Sequence, residues 1–280
     1  RRGYYSLPAL SPEGDRLAVT LNESGESHIW IKQLDEGPMS KLTFQGSSNV
    51  SAAWHPDGEI VAFVSNRGDN PDLYARESDG SGQPQLLLDS QDPIAEVTYS
   101  PDGEWAVYRH SNQWDIYGRR IGSNEEPVDF SSSFSVAGND EANPAISPDG
   151  RWLAYQSNES GRWEIYVHPF PNVGDARWQV STQGGWAPAW SRSGDELYYA
   201  SLLDLQLMAV PIVEGTTFIH GEPAGLFQVQ GFISGTGVVT PFYDVMPGDE
   251  RFVMILDSQT TGRLVFVENF LEELIQRAGN

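Results

Sequence analysis

The chain has 280 residues, 39 acidic against 17 basic side chains, a formal net charge of −22 at pH 7 and no cysteine. A surface of that sign repels phosphate backbones, which argues against nucleic acid as a partner. The missing thiols exclude disulfides, thiolate metal centres and cysteine nucleophiles.

The first element is a short apolar strand at Ala9-Leu10, closed by the turn Ser11-Pro12-Glu13-Gly14. A second strand follows at Leu17-Ala18-Val19, a third is marked by Ile29-Trp30, and a weaker outer one by Lys41-Leu42-Thr43. This grammar then recurs. Its turns are His55-Pro56-Asp57-Gly58, Ser100-Pro101-Asp102-Gly103 and Ser147-Pro148-Asp149-Gly150, with a decayed copy at Ser191-Arg192-Ser193-Gly194 and a transposed one at Met246-Pro247-Gly248-Asp249. Pro presets φ and Gly accepts a positive φ, so each copy reads as a tight turn between strands. The second strands recur at Ile60-Val61-Ala62-Phe63, Trp105-Ala106-Val107-Tyr108, Trp152-Leu153-Ala154-Tyr155, Leu197-Tyr198-Tyr199 and Phe252-Val253-Met254. The third strands carry Leu73-Tyr74, Ile116-Tyr117 and Ile165-Tyr166.

Four short antiparallel strands per unit, at the spacing of a blade, predict an all-β, six-bladed β-propeller of four-stranded antiparallel blades. The blades fall near 4–46, 47–91, 92–138, 139–184, 185–232 and 238–270 of one domain spanning 1–280. Apolar spacing in Leu271-Glu272-Glu273-Leu274-Ile275-Gln276 predicts a short C-terminal helix near 270–277. The last blade has sequence for only three strands, which leaves an edge open to pairing with another chain. The long step into the last unit passes through a Gly-rich stretch at Phe227 to Gly237, predicted to be a functional or closing loop.

The strings Ser65-Asn66-Arg67-Gly68-Asp69-Asn70-Pro71-Asp72-Leu73-Tyr74 and Ser157-Asn158-Glu159-Ser160-Gly161-Arg162-Trp163-Glu164-Ile165-Tyr166, each behind a Pro-Asp-Gly turn, resemble the PD40 repeat of TolB-like propellers. Val265 to Leu274 resembles the end of propellers fused to bacterial serine/threonine kinases and related signalling proteins. That likeness implies a sensory or interaction domain of a larger protein. No kinase signature accompanies it: the Gly-rich phosphate loop, His-Arg-Asp and Asp-Phe-Gly are all missing.

Catalytic motifs are also missing. Gly231-Phe232-Ile233-Ser234-Gly235 has the wrong spacing for a nucleophile elbow, and the five histidines form no zinc pair. Asp57, Asp102 and Asp149 occupy equivalent turn positions and are expected to cap their own turns. Trp54, Trp105, Trp152 and Trp190 fall on strands; Trp114, Trp163 and Trp186 fall in or beside loops.

Stepping back four residues from each turn gives Leu7, Ser51, Glu96, Asn143, Ala187 and Phe242. Glu96 and Asn143 form a polar pair, Asp92, Asp140 and Glu141 lie just before them, and Asn49 and Trp186 hold corresponding positions in the neighbouring blades. The expectation is an acidic, aromatic-flanked mouth of the axial channel suited to a cation, a Lys or Arg side chain or a ligand amine. Oxygen ligands would favour Ca²⁺, held by Glu96 and Glu141, and no other cofactor is expected. The sequence thus reads as a non-catalytic module for a protein or peptide partner. The competing reading is a metal-dependent hydrolase or lyase using the channel. With no membrane-length apolar run, no signal peptide visible and no Met at its start, the chain reads as a mature or excised fragment, with a periplasmic or extracellular address expected.

Overall fold

The computed structural model describes residues 4–35, 37–134, 138–229, 241–249, 251–256 and 263–267. The first sheet runs β1 (Tyr4–Leu10), β2 (Arg16–Glu23), β3 (Glu26–Gln33), β4 (Met39–Lys41). The second runs β5 (Asn49–Trp54), β6 (Ile60–Ser65), β7 (Asp72–Glu77), β8 (Gln85–Leu88), and the third β9 (Ile94–Tyr99), β10 (Trp105–His110), β11 (Ile116–Arg120), β12 (Val128–Asp129). The fourth holds β13 (Glu141–Ile146), β14 (Trp152–Ser157), β15 (Glu164–Pro169) and β16 (Trp178–Gln179). In the fifth, β17 (Gly185–Trp190), β18 (Glu196–Ser201) and β19 (Gln206–Val213) are followed by β20 (Ile219–His220) and β21 (Ala224–Gln228), which both pair with β19. The sixth holds β22 (Tyr243–Val245), β23 (Phe252–Leu256) and β24 (Arg263–Val267). All pairings within the sheets are antiparallel.

The repeat makes these turns with a division of labour. The Ser147 hydroxyl accepts the Trp152 N–H at 3.0 Å and donates to Asp149 Oδ1 at 2.6 Å, while that carboxylate oxygen accepts the Arg151 N–H at 3.0 Å. Ser100 and Asp102 repeat the arrangement, and Asp57 Oδ1 accepts the Glu59 N–H at 2.8 Å. The aspartates are turn caps. The Ser100 hydroxyl accordingly holds the Asp102 carboxyl below the usual range. In the sixth sheet, where Gly and Asp are transposed, both Gly248 and Asp249 take positive φ, 91° and 61°.

The inner strands β1, β5, β9, β13, β17 and β22 surround a common axis, and β22 touches both β17 and β1. Among the described residues the buried apolar side chains form six clusters, one at each contact between neighbouring sheets. Leu10, Leu17 and Trp30 meet Met246 and Val253 where the ring closes. There the Leu10 N–H donates to Asp244 Oδ2 at 2.7 Å, and a Cβ on Gly14 would collide with the ring of Pro247. One twisted sheet cannot cover both its faces, and the neighbours do so here.

The expectation of six four-stranded blades needs correcting. Five sheets have four strands or more, and the sixth has three among the described residues. The described residues end at Val267, with β24. The expected C-terminal helix near 270–277 and residues 230–237 of the expected loop lie outside the described residues. No helix among the described residues is long and apolar enough to cross a membrane.

Candidate functional site: the axial channel

Four inner strands are interrupted at the same place. Leu7, Ser51, Asn143 and Ala187 sit in the left-handed region, with φ of 53°, 53°, 54° and 51°. Each lies at a register shift between its inner strand and the next. A non-glycine residue there costs on the order of 1–3 kcal/mol unless its surroundings fix it. Bonds between sheets provide that fixing. The Asn143 N–H donates to Glu96 Oε1 at 2.9 Å, the Ala187 N–H to Gln156 Oε1 at 2.9 Å, and the Val97 N–H to Ser51 Oγ at 3.2 Å. Tyr243 Oη donates to Ala187 O at 2.7 Å. The bulges therefore form a belt that locks neighbouring sheets around the channel.

The belt divides the channel. At the end where the inner strands begin, a narrow cavity of about 110 Å³ is lined by Leu7, Ser51, Glu96, Asn143 and several prolines. At the other end, beside the Pro-Asp-Gly turns, the channel widens to about 490 Å³. Its wall is formed by Pro12, Pro56, Pro101 and Pro148 together with Trp54, Tyr99, Trp190 and Tyr243. Both indole N–H groups are committed: Trp54 Nε1 donates to Ala9 O at 2.8 Å and Trp190 Nε1 to Ala145 O at 3.0 Å. Burial pushes the Tyr99 phenol up to about 12, so it stays a neutral hydroxyl. The charged lining groups are Arg192 and Asp244, 3.6 Å apart. The wide end is a funnel of mixed polar and apolar surface, walled by proline and aromatic side chains, with one ion pair.

The structure separates the residues expected to form an acidic mouth. Glu96 and Asn143 do line the narrow cavity, but Glu96 Oε1 also accepts Arg109 Nε at 2.6 Å, so its charge is compensated. Asn143 Nδ2 donates to Gln156 Oε1 at 2.8 Å, while its Oδ1 is buried without a partner. Asn49 is fully buried between the first two sheets, accepting from Ser65 Oγ at 2.8 Å and donating to Gln45 O at 3.0 Å. Asp92 accepts Asn112 Nδ2 at 2.8 Å, and Asp140 accepts Asn158 Nδ2 at 2.9 Å. Neither lines the channel cavities. Glu141 is buried at the start of β13, its carboxyl bonded to Ser131; burial, then the carboxylates of Asp115, Glu159 and Asp140, push it up to about 8. Trp186 is buried against Phe242, ring centroids 5.0 Å apart. Glu96 and Glu141 thus belong to separate networks, and no group of three His, Asp or Glu side chains among the described residues is placed to hold a metal. The sequence reasoning missed the proline and aromatic wall. The prolines that build it are those of the repeat itself, so the signal was present.

A ring of β-sheets around an open axial channel defines a β-propeller. Residues 1–135 match the family model described as the TolB β-propeller domain. The chain is 26% identical over 191 residues to the uncharacterized peptidase YuxL of Bacillus subtilis, covering 54% of this chain and 29% of that one. It is 26% identical over 167 residues to the Tol-Pal system protein TolB of Francisella tularensis, covering 57% and 37%. The chain thus spans about a third of the length of these two curated relatives. The crystal structure of TolB from Acinetobacter baumannii superposes with a TM-score of 0.67 at 18% identity, covering 92% of this chain and 62% of that one. At that identity the likeness concerns the fold.

Proposed function

We propose that this chain is a non-catalytic protein-binding propeller that receives an extended segment of a partner in the wide end of its channel. The observation that carries the reading is the 490 Å³ funnel walled by proline and aromatic side chains. Such surfaces bind apolar and aromatic anchors at low conformational cost. The likeness to a Tol-Pal system protein supports a protein partner and, weakly, an address outside the cytoplasm. A place within a larger signalling protein rests on the C-terminal likeness alone. The reading includes no resident metal: Glu96 and Glu141, the expected Ca²⁺ ligands, are committed to other partners.

The test is to fill the funnel. Thr98 lines it and is partly exposed, so Thr98→Trp would occupy the space with little change to the core. Peptides selected by the wild-type protein from a displayed library of unstructured sequences should lose binding to Thr98→Trp. Selection of no peptide, or equal binding by the variant, sinks the reading. Turnover of a peptide or oligosaccharide substrate by the purified protein would favour the enzyme alternative.

A further inference from the structure

The loops β10–β11 and β14–β15 place Trp114 and Trp163 side by side, ring centroids 6.0 Å apart and planes at 42°. They are equivalent positions in adjacent sheets. Trp114 O accepts the Glu141 N–H and Trp163 O the Gly185 N–H, each at 2.9 Å, tying each loop to the start of the next inner strand. Both side chains are only half-buried, on the face opposite the wide funnel. Neither indole N–H donates to a protein acceptor among the described residues, unlike those of Trp54 and Trp190. Two adjacent indoles with open donors make a surface more suited to recognition than to packing.

The charge around this ledge is one-sided. Each nearby cation already has a carboxylate: Arg109 with Glu96 at 2.6 Å, Arg162 with Glu164 at 2.8 Å, and Arg177 with Glu159 at 2.5 Å. Arg109 also lies 4.3 Å from the Trp114 ring centroid, which anchors that ring to the channel belt through Glu96. Asp92, Asp115 and Asp140 have no ion-pair partner among the described residues. Burial, followed by the charges of Asp129 and Asp140, raises the Asp115 carboxyl, as expected in a locally negative field.

We propose that the Trp114–Trp163 ledge, with the unpaired carboxylates of Asp92, Asp115 and Asp140 beside it, is a second docking surface that takes a Lys- or Arg-bearing segment of a protein partner. Carboxylates attract and orient the cations, and the indoles supply desolvated contact area and cation–π attraction for their side chains. This surface is separate from the funnel, so either can fail alone.

The test titrates the intact chain, by calorimetry, with an acetylated octapeptide of alternating lysine and glycine and with its glutamate–glycine counterpart. The lysine peptide should bind the wild-type protein and Thr98→Trp equally. Its dissociation constant should rise by about tenfold or more in Trp163→Ala. Asp92→Asn/Asp140→Asn should weaken binding and flatten its salt dependence; this pair keeps a side-chain oxygen at each site and remains informative if Trp163→Ala does not fold. Equal affinity for the two peptides overturns the proposal. So does undiminished binding of the lysine peptide by folded Trp163→Ala or by the Asp92→Asn/Asp140→Asn variant.

Discussion

Arg109 Nε donates to Glu96 Oε1 at 2.6 Å, and the same oxygen accepts the Asn143 backbone N–H at 2.9 Å. One carboxylate thus joins two strands of the third sheet to the bulge of the fourth. Arg109 is buried, and Glu96 is nearly so. Removing one partner of such a pair leaves an uncompensated charge, at a cost of about 3–5 kcal/mol. Arg109→Met should therefore lower the urea midpoint sharply, and Arg109→Met/Glu96→Gln should be more stable than Arg109→Met alone. A stability for Arg109→Met within about 1 kcal/mol of wild type would show that the pair holds little.

His168 supplies a proton-linked term on the acid side. It is buried, Nδ1 donates to Val173 O at 2.5 Å, and Nε2 accepts from Tyr155 Oη at 3.1 Å, which fixes the neutral ring. Burial depresses its pKa to about 4. The unfolded ring protonates near 6.5, so its contribution is complete above that pH and is lost as pH falls through 4. The loss is on the order of 2–3 kcal/mol. Measured by denaturation between pH 6.5 and 4, His168→Phe should show a flatter fall than wild type; parallel curves would count against the assignment.

The repeat was legible because each residue of Ser-Pro-Asp-Gly has a local job: Ser147, Asp149 and Gly150 close their turn with bonds inside five residues. The aligned positions Leu7, Ser51, Asn143 and Ala187 were also found by counting back from those turns, and they are structurally equivalent. Their chemistry was not legible. A bulge has no signature in residues as different as Leu, Ser, Asn and Ala, and it redirects the side chains that follow. The partner of Glu96 is a cross-strand neighbour, Arg109, so counting acidic residues near the channel overstated its free charge.

Calcium tests that last point directly. Glu96 is engaged by Arg109 and the Asn143 N–H, and Glu141 is bonded to Ser131. Addition of calcium to about 1 mM, the range of weak extracellular sites, should leave the melting temperature unchanged, because a ligand raises it only by binding the folded state. A rise that is absent in Glu96→Gln would restore a calcium site at the narrow cavity.

Glu141 should make the protein less stable as pH rises. Its carboxyl faces Ser131 and lies among Asp115, Glu159 and Asp140; burial first, then these charges, push it up to about 8. The unfolded group ionises near 4.3. Below that pH both states hold the proton and Glu141 contributes no pH dependence. Between about 4.3 and 8 the unfolded state releases its proton while the folded state keeps it, so stability falls through this window and levels off above it. The total is about 2–4 kcal/mol, given a carboxyl that is almost wholly buried. Glu141→Gln keeps the size and one acceptor of the protonated acid but cannot ionise. The variant and the wild type should be close in stability near pH 4.5 and separate progressively towards pH 8, with the variant the more stable. Denaturant unfolding of both proteins at half-unit steps from pH 4.5 to 8.5 gives the difference directly and cancels the contribution of His168. A difference that stays constant across the series would mean that Glu141 is already ionised in the folded protein, with a counter-charge supplied to it.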